Sequence, residues 1–167
     1  MASTITASTL KVTIREDIKL NGVQQGGSHT FELNSVNEIY KRIVTCPTNQ
    51  NTTVAHFKST VHAASGSLDM EDVKYIRVTN LDDSNSAKLN LQIDAGENDT
   101  QADESATLLL EAGKSFMMGS PNDGVNVDDT DSAIPDTLVD LESIVISTKD
   151  TTGATGEVDI EVFIASI

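Results

Sequence analysis

Ala112-Gly113-Lys114-Ser115 has the residue types that end a phosphate-binding loop. In such a loop, backbone amides converge on a phosphate at a helix N-terminus and the lysine neutralises it. The motif needs a glycine five positions before Gly113, where Leu108 stands, and a helix after the lysine. Phe116-Met117-Met118 reads as strand instead, so the segment is read as a hairpin turn with glycine at positive φ.

The other nucleophiles, bases and ligands are scattered. Histidines stand at 29, 56 and 62. His56 and His62 are an even number apart, which would put both on one strand face, but no Cys or Glu lies at zinc-ligand spacing around them. Cys46 is followed by Pro47 rather than by a helix N-terminus that would lower its pKa, so it is read as a small buried residue at a strand end. No Gly-x-Ser-x-Gly elbow is present.

Oxygen ligands gather in Asp123–Asp131, and Asp128, Asp129 and Asp131 would be the carboxylates of a calcium loop. EF-hand spacing and its terminal glutamate are missing, so a solvated acidic loop is the favoured reading and no cofactor is expected. A carboxylate pair for glycoside hydrolysis stays open. The aromatic platform that sugars stack on is poor, with no Trp, two Tyr and four Phe. The chain is read as non-enzymatic.

The balance of 26 acidic against 11 basic residues gives a formal net charge of -15. Nucleic acid needs a basic stripe to replace phosphate counterions, and anionic lipid needs the same, so neither is an expected partner. One cysteine allows no internal disulfide. Met1–Thr9 is small and hydroxylated, without the basic start and apolar run of a signal peptide. No stretch approaches the ~18 apolar residues that span a bilayer as a helix.

Elements that would carry any site are strands. Leu10, Val12 and Ile14 share one face, Ile18 and Leu20 continue the alternation, and Asn21-Gly22 signals a hairpin. His29, Phe31 and Leu33 alternate again. Glu38–Thr45 fits a helical face nearly as well, but Ile43-Val44-Thr45 and Pro47 favour a strand. Val73–Thr79 and Leu89–Ile93, around an Asn/Asp-rich turn at 80–85, read as a hairpin. Leu141–Ser147 and Val158–Ile164, around a turn at Thr151–Gly156, close the chain. The predicted core is Ile76, Val78, Leu89, Leu91, Val158, Ile160, Val162 and Ile164. The fold expected is all-β, a two-sheet antiparallel sandwich of jelly-roll-like form. It would be one domain over 10–167 behind a flexible polar arm over 1–9. Gly119–Pro135 is a long Asp-rich loop.

Three segments carry a family likeness: Arg42–Thr48, Tyr75–Asp83 and Leu110–Phe116. They resemble small β-sandwich virion structural proteins of marine tailed bacteriophages. The likeness spans roughly Arg42 to Ile167. It implies a virion component assembled in the host cytoplasm, present in many copies as a homo-oligomer, with the major capsid protein or other virion proteins as partners. Capsid decoration (cement) is the station favoured; a tail, fibre or head–tail component is the alternative. A carbohydrate-binding module is the competing class, and exposed aromatics in a groove would mark it.

Overall fold

The computed structural model describes residues 6–58, 67–93, 104–119, 126–128, 138–149 and 156–167. Among the described residues there is no helix. The strands in chain order are β1 (Ser8–Arg15), β2 (Lys19–Leu20), β3 (Val23–Gln24), β4 (Ser28–Val36), β5 (Glu38–Cys46), β6 (Asn51–Lys58), β7 (Leu68–Asp69) and β8 (Val73–Asn80). They continue as β9 (Ala87–Ile93), β10 (Glu104–Leu110), β11 (Ser115–Gly119), β12 (Asn126–Asp128), β13 (Leu138–Asp140), β14 (Ser143–Ser147) and β15 (Val158–Ser166).

One sheet has the order β5-β15-β8-β11, the other β6-β14-β9-β10, with β7 added in parallel beyond β6. Numbered one to eight along the chain, the strands of these two sheets other than β7 read 1-8-3-6 in one sheet and 2-7-4-5 in the other. Two interlocked Greek keys of this order are a jelly roll.

Strict alternation builds the core. Val158, Ile160, Val162 and Ile164 on β15 and Ile76 and Val78 on β8 turn inward, against Leu89 and Leu91 on β9 and Ile144 and Ile146 on β14. All are buried, and the eight residues predicted as core are among them. Phe57 of β6 and Cys46 at the end of β5 complete the cluster.

The pairing expected between neighbours differs. Val73–Thr79 and Leu89–Ile93 are not a hairpin, because β8 and β9 lie in opposite sheets. The six residues between them cross the gap, roughly 10 Å in packed sheets. The turn at Glu111–Lys114 likewise joins opposite sheets, as does the β14–β15 connection. Alternation assigns a face to each strand, and two inward faces satisfy it whether the strands lie side by side or opposite each other.

These crossings, with that from β5 to β6, meet at one end of the sandwich. Asn80, fully buried, ties two of them: its Nδ2 donates to the carbonyls of Asn85 at 2.8 Å and Leu110 at 3.2 Å. Thr148 ties the others. Its Oγ1 donates to the carbonyl of Pro47 at 2.6 Å and accepts from the amide of Gln50 at 3.0 Å.

Glu38–Thr45 is strand, as β5. β1 begins at Ser8, inside the segment expected to be an arm; Thr9 Oγ1 donates to Asn34 Oδ1 at 3.0 Å. Residues 1–5 lie outside the described residues. Within the expected Asp-rich loop lies β12, which pairs antiparallel with β13 beyond it.

Candidate functional site

Residues 8–36 form a long antiparallel ribbon in which β1 pairs with β4 from Ser8↔Val36 to Arg15↔Ser28. β2 and β3 extend it around Asn21-Gly22, both at positive φ (51° and 80°), as a two-residue hairpin turn requires. Hydrogen bonds from Glu16 N to Gly27 O (2.8 Å) and Gln25 N to Ile18 O (2.9 Å) hold the segment between. Gly26 is needed there, since a Cβ would sit 2.1 Å from the Glu16 carbonyl oxygen.

The ribbon has two halves with different surroundings. Its base lies on the outer face of the β5-β15-β8-β11 sheet: Leu10, Val12, Phe31, Leu33 and Val36 pack on Tyr75, Phe163, Ala165 and Ile167. Ring centroids of Phe31 and Tyr75 are 6.2 Å apart, and those of Tyr75 and Phe163 6.0 Å apart. Burial pushes the Tyr75 hydroxyl pKa up. This third layer explains why β8 and β15 carry apolar residues on both faces.

Beside the ribbon the same face is ionic. Arg77 donates to Glu161 and lies over the Phe163 ring, and Lys41 Nζ is 3.4 Å from the other Glu161 oxygen.

The outer half of the ribbon is bare. Every residue from Thr13 to Gln25 is exposed, including Ile14 (38%), Ile18 (49%), Leu20 (58%) and Val23 (58%). The hydrogen-bonded ribbon thus holds four large apolar side chains in water. The ribbon's charge differs from the body's. Residues 1–36 hold Lys11, Arg15 and Lys19 against Glu16, Asp17 and Glu32, so the net -15 resides wholly in the remainder.

A second apolar surface lies at the edge of the sandwich. β10 and β11 are edge strands of their sheets, and between them opens a groove of about 260 Å³ lined by Leu89, Leu108, Leu110 and Phe116. Leu108 (43%) and Leu109 (60%) remain exposed. Between Glu104 and Glu111 the strand carries no charge. The β5 edge, by contrast, bears Lys41 and an exposed Arg42 over the Tyr40 ring, charges of the kind that discourage strand addition.

Among the described residues the chemistry considered from sequence is not assembled. Gly113 has a φ of +68°, as a turn needs, but Ser115 opens β11 and no helix follows. His29 lies on β4 beside Phe31, while His56 lies on β6, 4.0 Å from Glu142. His62 is outside the described residues. Cys46 is buried, and burial raises its thiol pKa. Asp128 ends β12; Asp129 and Asp131 are outside the described residues. Among the described residues no three His, Cys, Asp or Glu side chains come together as a metal site. All six aromatic residues are described: Phe57 and Tyr75 are buried, and Phe31, Tyr40, Phe116 and Phe163 are half-buried. The exposed tip is not apparent from the sequence pattern: Ile18 and Leu20 alternate as in a half-buried strand, and the one signal that sets the segment apart is the absence of net charge in residues 1–36.

No family model matches the chain, and neither the curated proteins nor the solved structures contain a match.

Proposed function

We propose that this chain is a non-enzymatic structural protein of a virus particle that docks on a protein lattice, in the role of a capsid decoration protein. The observation that carries the reading is the ribbon, anchored at its base and bare at its tip. A rigid arm of this kind contributes contact area at little ordering cost, because its backbone is already hydrogen-bonded. Jelly rolls serve viral capsid domains and lectins alike, so the fold admits the role without choosing it. The likeness of three segments to marine phage sandwich proteins supports the particle. The lack of an exposed aromatic weighs against the lectin-like alternative.

Many copies on a symmetric shell gain avidity, so each contact can be weak. A single small domain repeats over a shell without obstructing the tail, which favours the capsid over a tail station. The test is to incubate the purified chain with particles lacking it and count bound copies by mass spectrometry. Saturation at a multiple of the lattice number is expected. A few copies at one vertex would place the chain in the tail instead, and no binding at any salt concentration would overturn the lattice reading.

A further inference from the structure

We infer that the groove between β10 and β11 receives the ribbon tip of a second copy of this chain. The inference rests on the reading of the ribbon as a docking arm and names its partner. Among the apolar side chains left in water, two groups are matched in form: the tip, with Ile18, Leu20 and Val23, and the β10 edge, with Leu108, Leu109 and the groove at Phe116, whereas the exposed Ile39 and Ile43 of β5 are interleaved with Lys41 and Arg42. They differ in shape, one projecting and one concave, and a single contact between copies covers both.

Charge selects this pairing over the symmetric alternative. Setting β10 against β10 of another copy puts the acidic ends of the two strands together. Each of these strands is flanked by Glu104 and Glu111. The ribbon is the part of the chain without net charge, and it brings Arg15 and Lys19 interleaved with its apolar residues. Glu111 and Lys114 both line the groove, one charge of each sign, and Glu16 and Asp17 stand near the tip beside Arg15 and Lys19. Asp17 is hydrogen-bonded to Gln24 Nε2 at 3.2 Å within the ribbon. Local like-charge conflict is therefore small while the long-range repulsion of the bodies persists, so added salt strengthens the contact.

The contact is heterologous. Each copy that gives its tip keeps its own groove open, and the interaction propagates into a ring or a chain rather than stopping at two. A tip of this size covers less than the ~1,200 Å² of a standard interface, so the isolated pair is weak and the array supplies the strength.

Sedimentation equilibrium of the full chain tests this, with Leu20→Asp as a tip variant and Leu108→Asp as a groove variant. Val23→Asp and Leu109→Asp serve as replacements should either fail to fold. The wild type is expected to increase in mean mass with concentration, more so at high salt, and each variant alone to associate at least ten-fold more weakly. Mixed together, the two variants should form a one-to-one dimer that grows no further, since one supplies an intact groove and the other an intact tip. A wild type that stays monomeric, a Leu108→Asp chain that associates like the wild type, or a mixture that stays monomeric would each overturn the inference. If the chain binds particles through Leu20 yet never self-associates, the inference fails and the functional reading stands. If it self-associates but ignores particles, the reverse holds.

Discussion

Asn80 on β8 and Leu110 at the end of β10 belong to opposite sheets, and the Asn80 amide donates to the Leu110 carbonyl at 3.2 Å with Asn80 fully buried. The same side chain donates to Asn85 and accepts the amide of Asp82 at 3.0 Å. One residue thereby fixes two of the crossings that close the jelly roll. Asn80→Leu strands the buried Leu110 carbonyl, at about 1–3 kcal/mol, and removes the hydrogen bonds to the half-buried Asn85 and Asp82, each worth about 0.5–1.5 kcal/mol. Chemical denaturation should show a loss of at least ~2 kcal/mol by that count, and a loss under ~0.5 kcal/mol, the range of neutral surface changes, would show that the network is dispensable.

The neighbouring turn has a pH signature. The amides of Asn85 (2.6 Å) and Ser84 (2.8 Å) donate to Asp82 Oδ1 and hold its carboxyl below the usual carboxylate range. A lowered folded-state value contributes stability that is present above the unfolded value and lost as pH falls through the folded one. Asp82→Asn should therefore melt below the wild type at neutral pH, with the gap closing as pH drops beneath the ordinary carboxylate range. A gap constant across that acid limb would contradict the assignment.

Leu91 on β9 is buried between the sheets (3% exposed). Leu91→Ala should cost about 2–5 kcal/mol in urea denaturation. A cost below ~0.5 kcal/mol, typical of surface positions, would place the side chain outside the core.

The ribbon base and the sandwich core are separate clusters, joined across the Tyr75 face. Leu33→Ala opens a cavity under the ribbon alone. Hydrogen exchange should quicken across β1 and β4 while amides of β14 and β15 keep their protection. Equal loosening of both would mean that the ribbon is an inseparable part of the core.

Period two was enough to find the strands and the core, because Val158, Ile160, Val162 and Ile164 must share a face whatever lies opposite. It was not enough to pair the strands. Six residues join β8 to β9, longer than the two to five of most hairpins, and that length was the readable sign of a crossing between sheets. Tyr75 and Phe163 obscured the pattern further, since they are apolar on a face that only the ribbon covers. The tip was hardest to read. Ile18 and Leu20 alternate like half-buried strand residues, and nothing local distinguishes side chains that stay in water from those that meet their own core.

The central claim is that the ribbon tip docks this chain on its lattice. The most direct measurement is the number of copies retained per particle by wild type and by Leu20→Asp, counted by mass spectrometry after identical incubation and washing. Leu20 is 58% exposed, so the variant should melt within ~0.5 kcal/mol of wild-type stability. The account predicts near-saturation for the wild type and at least a ten-fold loss of bound copies for the variant. Equal retention of the two would contradict it.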